Sequence, residues 1–165
     1  MRRLILLAGL ALAVGVLLPA GALSATGGSD LPVKGSFSGQ GTLNRATGQE
    51  HLVSTGTASH FGLSHVDEHG QIVPTGPGAF VIFGTWTLTG ANSDQMFGTF
   101  AGSGSTADNV HYTLLVDYAS TGGTGRFADA TMTFVVTVES TVVSVDATTL
   151  TSAFDAEVVG RLSYR

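Results

Sequence analysis

The chain has 165 residues, with seven Lys+Arg against twelve Asp+Glu for a formal charge of −5, and no cysteine. Only 12% of its residues are charged, while glycine reaches 23 and threonine 21. One domain's worth of chain with this balance excludes a disulfide scaffold, a thiolate metal site, a cysteine nucleophile and a polybasic nucleic-acid binder.

The N-terminus reads as a targeting segment. Met1-Arg2-Arg3 is a positive n-region, Leu4 to Leu18 is an unbroken apolar core, and Pro19 then breaks the helix. Ala20-Gly21-Ala22 offers an A-x-A-like cleavage site and Ala25 a second one. A spanning helix needs about 20 apolar residues, so residues 1–25 are expected to be a signal helix, the alternative being an uncleaved anchor. The protein is then secreted or periplasmic. Its removal leaves Lys34, Arg45, Arg126, Arg161 and Arg165 against all twelve acids, a charge of −7. Such a surface repels phosphate backbones and anionic headgroups, so neither nucleic acid nor membrane is an expected partner.

Residues 26–33 read as a flexible leader and 34–165 as one domain. From there the hydrophobic period is two. Phe80, Ile82, Trp86 and Leu88 share one parity and Thr85, Thr87 and Thr89 the other. Tyr112, Leu114, Val116 and Tyr118 alternate with His111, Thr113 and Asp117, and Met132 to Val138 alternate with threonines. Glycine-rich and Asn/Asp turns punctuate these runs. The expected strands lie near 34–43, 50–61, 79–89, 95–101, 110–119, 130–139, 141–146 and 150–164, with Val73–Gly78 a loop. Eight antiparallel strands without helices must close into a small barrel or stack as a two-sheet sandwich.

The run Gly122-Gly123-Thr124-Gly125-Arg126-Phe127, followed by Ala130, resembles the GGTGRF-type signature of small exported bacterial proteins related to the allene oxide cyclase-like barrel. Plant dirigent proteins and allene oxide cyclases carry a similar hexad. Thr57–Gly62 is similar to a Thr-His-Leu-Gly segment of the exported proteins, Thr89–Gln95 to their Ala-Asn-Gly-Asp hairpin, and Gly160–Tyr164 to their closing strand. Thr131-Met132 departs from the Ala-x-Gly that often ends the motif. The resemblance spans most of 34–164 and implies an all-β, eight-stranded, mostly antiparallel calycin-like barrel. It carries over no catalytic residue and no cofactor; dirigent-like relatives oligomerise, which admits a homo-oligomer. Read physically, Gly122, Gly123 and Gly125 allow positive φ and close approach in a tight crossover. Phe127 is then expected in the core, with Arg126 outside or on Asp129 or Asp117.

Other motifs carry less. Gly123–Ala128 fits the dinucleotide fingerprint, but the period-two run after it leaves no helix to hold a pyrophosphate. Gly35-Ser36-Phe37-Ser38-Gly39 is no nucleophile elbow, since phenylalanine holds its centre. Four of five histidines lie in His51–His69. His51 and His60 have opposite strand parity, and His65, Asp67, Glu68 and His69 read as a solvated loop, so no metal site and no cofactor are expected. The binding residues expected inside the barrel are Phe80, Trp86, Tyr112 and His60, whose aromatic character suits a small apolar ligand. Three functions follow: non-catalytic binding of such a ligand or of a partner, a cyclase or isomerase, and a structural oligomerising module. The first fits best, and no catalytic residue is assigned.

Overall fold

The computed structural model describes residues 30–164. Residues 1–25, the expected signal segment, lie outside them. The strands are β1 (Asp30–Asn44), β2 (Gln49–Ala58), β3 (Gly62–Gly76), β4 (Ala79–Thr89), β5 (Gln95–Ser105), β6 (His111–Gly123), β7 (Ala130–Val145) and β8 (Thr149–Tyr164). Each pairs antiparallel with the next, and β8 pairs back onto β1 from Asp30↔Ser163 to Asn44↔Thr149, so the sheet closes in order as a barrel. Closure removes every free edge, which is why a chain rich in strand formers needs no helix to cover it. A single 3-10 turn at Gly125–Phe127 is the only helical element among the described residues.

Alternation decides what faces in. Phe37 on β1, Trp86 and Leu88 on β4, Phe100 on β5, Val116 and Tyr118 on β6 and Phe134 on β7 are buried. Thr87, Asp117 and Thr133 on these strands, and Glu157 on β8, are exposed or half-buried. The interior is apolar, whereas the outer wall mixes these polar residues with exposed Val53, Leu63, Phe83, Leu115, Val135 and Val159. Among the described residues, no helix is long and apolar enough to cross a membrane.

Inward glycines make room for the rings. Gly70 and Gly84 are cross-strand partners, and a Cβ on either would meet the tip of Phe100 at 3.0 or 2.9 Å. Gly39 stands in the same way beneath Phe154 and Gly56 beneath Phe37. Large against small keeps the girth of the barrel constant while its centre is packed.

One end is sealed. Phe61 from the β2–β3 turn and Phe127 from the β6–β7 connection stack at 4.4 Å and are buried with Met96, Val33 and Leu162. The glycine hexad builds this seal. Gly125 has φ +54, and a Cβ there would collide with the Asp94 carboxylate. Asp94, in the β4–β5 turn, accepts the Arg126 backbone N–H at 3.2 Å and faces the guanidinium at 3.7 Å. Arg126 therefore pairs with Asp94 rather than with Asp129 or Asp117, and its guanidinium lies 4.7 Å over the Phe127 ring. Gly122 and Gly123 end β6 and serve close approach alone; of the three, only Gly125 takes a positive φ.

Four stretches differ from the sequence reading. His65–His69, expected as loop, belongs to β3, and so does Val73–Gly76, the greater part of the loop expected at Val73–Gly78. Residues 130–139 and 141–146, expected as two strands, are the single β7 with a register shift at Val142/Ser144. Asp30–Val33, expected in the leader, is paired strand because β8 is long enough to hold it. The expected number of eight stands because one strand was hidden and another divided.

Phe127→Ala removes the seal, leaving a cavity whose cost is about 3–5 kcal/mol. Gly125→Ala adds strain and a clash of about 1–3 kcal/mol. Urea unfolding followed by Trp86 fluorescence measures both, and Phe127→Ala is expected to be the more damaging.

Candidate functional site

The barrel is packed at one end and hollow at the other. Around Trp86 the interior holds a void of only about 50 Å³. Toward the opposite mouth a cavity of about 260 Å³ opens between β1–β4 and β6–β8. Its origin is in the inward residues. At this depth the strands carry Gly41, Ser140 and Ser152 where the sealed end carries aromatics and methionine. A Cβ on Gly41 would meet nothing closer than the Ser152 hydroxyl at 3.5 Å.

The wall is mostly apolar: Leu52, Ile72, Phe80, Leu114, Leu150 and Phe154. Phe80 and Tyr112 are tilted neighbours with centroids 6.0 Å apart at 59°, and the tip of the Phe80 ring takes the space that a side chain on Gly104 would fill. The mouth is held by one device used three times. Asn44, Asp108 and Asp146 each accept two backbone N–H groups of the turn that follows, at 2.7 to 3.1 Å. These side chains fix the turns that frame the opening. Asp108 also bonds His111 Nδ1 at 2.7 Å, which holds its carboxyl far below the usual range.

Two acids face inward from adjacent strands. Glu50 on β2 is half-buried in the cavity wall, and its Oε2 uses the space left by Gly70. Burial alone pushes its pKa up from 4.5 to about 7. Glu68 on β3 is buried deeper, between the cavity and the packed half. The Tyr118 hydroxyl donates to its carboxyl at 3.0 and 3.1 Å. Loss of water drives Glu68 up to about 8, with Glu50 and Asp67 adding to the rise and the Tyr118 bond opposing it. Tyr118 is itself held well above its usual value, first by burial and then by Glu68. Its ring is clamped by Phe134 at 4.6 Å and Phe100 at 5.3 Å, with Trp86 edge-on at 6.1 Å.

The four residues expected inside the barrel separate. Phe80 and Tyr112 line the cavity. Trp86 faces in but is packed against Phe134 at 5.2 Å in the filled half, its Nε1 donating to the Thr99 carbonyl at 3.1 Å. His60 is not inside: it sits exposed in the β2–β3 turn with φ +70, its Nε2 3.1 Å from the Pro32 carbonyl. Glu50 and Glu68 were not singled out as interior residues, although their even parity on β2 and β3, shared with Leu52, Val66 and Ile72, was the signal that carries them inward. Compared with known proteins, the chain matches no family model, no curated protein and no solved structure.

The two acids make stability fall as pH rises. Unfolded carboxyls ionise near 4.5, whereas the folded ones hold their protons to about 7 and 8. The native state then binds more protons than the unfolded state throughout that window. Their contribution is present below the unfolded pKa and is lost as pH rises through about 7 for Glu50 and about 8 for Glu68, at up to about 1.4 kcal/mol per pH step for each group. Glu68→Gln, which keeps an acceptor for Tyr118, is expected to flatten the decline in thermal midpoint between pH 5 and 8. An unchanged slope in that variant contradicts the assignment.

Proposed function

We propose that this is an exported binding protein whose barrel takes one small, mainly apolar molecule through its open mouth. The observation that carries the reading is the cavity of about 260 Å³, walled by Leu, Ile and Phe side chains, with the Glu50 carboxyl among them. Eight-stranded barrels have room for side chains or for one small ligand, and here the half that side chains leave empty is the half that opens outward. A few polar groups in an apolar wall are what orients a guest. Ser140, Ser152 and Glu50 supply them, which favours an amphipathic molecule with one hydrogen-bonding end. The N-terminal segment read as a signal supports export, and the hexad resemblance supports a calycin-like relationship.

A cyclase or isomerase is the second reading. It is favoured by one observation, a carboxyl in the cavity wall with the Glu68–Tyr118 pair behind it.

Thermal shift with a panel of fatty acids and terpenoids is the direct test, with Leu114→Trp as the variant that fills the cavity. The folded protein is expected to rise in midpoint with at least one class, and Leu114→Trp to lose that rise while remaining folded by circular dichroism. Binding that persists in Leu114→Trp rejects the cavity as the site. Conversion of the bound guest, abolished in Glu50→Gln with binding retained, would move the assignment to the enzyme.

A further inference from the structure

The outer wall of the same two strands carries a second chemistry. His51 on β2 and His69 on β3 are direct cross-strand partners, and alternation turns both outward. Their rings stack at 4.4 Å and 2° from parallel. Asp67 precedes His69 by two residues and so shares its face. A single Asp67 oxygen, Oδ1, lies 3.3 Å from His51 Nε2 and 3.1 Å from His69 Nε2. All three donor atoms fall within 4.8 Å of one another.

We propose that His51, Asp67 and His69 form a surface site for a divalent transition cation, Zn(II) or Cu(II). The donor set decides the class: imidazoles with one carboxylate suit these ions, whereas Mg(II) and Ca(II) take oxygen ligands. Spacing agrees. Ligands about 2.0–2.1 Å from a tetrahedral centre stand about 3.3 Å apart, close to both measured carboxylate–imidazole separations. The remaining imidazole–imidazole edge closes when the two exposed rings splay, which also brings both ring planes through a common point. The sheet supplies the preorganisation, because the histidine backbones are fixed by register and only side-chain torsions move. The neighbours across the next ladder are Thr85, opposite His69, and Thr87, opposite Asp67. Neither competes as a strong ligand, and the side chains of the cluster are 47% to 66% exposed. Remaining coordination positions therefore open to water, as in sites that keep an exchangeable ligand.

The site lies on the outer wall, and its argument does not rest on the cavity or on a guest. His60 and His111, on other parts of the surface, serve as controls. The experiment is calorimetric titration of the untagged protein with zinc chloride, paired with electron paramagnetic resonance of the Cu(II) form. One cation per chain is expected, with hyperfine structure from two nitrogens. His51→Ala and His69→Ala should each weaken affinity by about tenfold or more, Asp67→Asn by less, and His111→Ala not at all. The rise in thermal midpoint with zinc should vanish in the two weakened variants. Absence of binding, a single-nitrogen signal, or affinity unchanged in both His51→Ala and His69→Ala overturns the proposal. All these substitutions lie on the exposed wall, and circular dichroism of each variant confirms that the barrel is intact.

Discussion

The girth of a closed barrel is fixed by its strands, and every inward side chain must share the one volume they enclose. Eight strands leave room for little more than their own side chains. In this chain the volume is divided unequally along the axis. Phe37, Phe61, Trp86, Phe127, Met132 and Phe134 fill one half, and glycines facing the rings prevent overfilling. The other half receives glycine and serine at positions where the first half receives aromatics. A hollow therefore follows from the sequence of inward residues, at the end where the register shifts at Pro74/Gly76 and Val142/Ser144 also fall.

The same constraint explains the acids. A carboxyl placed in the packed half would lose water and gain nothing, at a cost of several kcal/mol. Glu68 sits at the border, where Tyr118 supplies a hydroxyl and three aromatic rings hold that hydroxyl in line. Glu50 sits farther out, where the cavity itself relieves part of the burial. The gradient from Glu68 to Glu50 follows the gradient from packed to hollow. Functional sites are where such locally unfavourable choices are found, and here Glu50 lines the cavity at the open mouth while Glu68 lines the small void beside Trp86.

How much of this is legible in sequence depends on whether alternation is written in apolar residues. On β4, β6 and the first half of β7 it is, and Phe80–Leu88, Tyr112–Tyr118 and Met132–Val138 show their inward faces directly. β3 hides its period because the inward set is Ser64, Val66, Glu68, Gly70 and Ile72, with one acid and one glycine in the middle. The outward set is equally polar, so both faces read as solvent-facing. On β7, Glu139-Ser140-Thr141 gives the same impression of a break; Ser140 faces in at the hollow end, where an apolar residue is not needed. The interior role of Phe80 and Tyr112 is legible from parity, whereas the placement of Trp86 in the packed half depends on rings from other strands. His60 misleads because a turn residue at positive φ follows no strand parity. The hexad announces a tight connection, but that its acid partner is Asp94 depends on which turns the closed sheet brings to one end.

β2 and β3 show what alternation accomplishes when neighbouring residues are chemically alike. Glu50 faces in and His51 out; Asp67 and His69 face out and Glu68, between them, faces in. A slip of one residue in either strand would exchange these sets. On β3 it would drive Asp67 and His69 into the interior and strand Tyr118 without its carboxyl. The penalty for misregister here rests on polar residues, which contribute little to the net burial energy. The apolar neighbours Leu52, Val66 and Ile72 then set the direction, and the charged residues make the alternative unaffordable. That arrangement lets one pair of strands turn carboxyls to the interior on one side and gather imidazoles on the other, with a single layer of backbone between them.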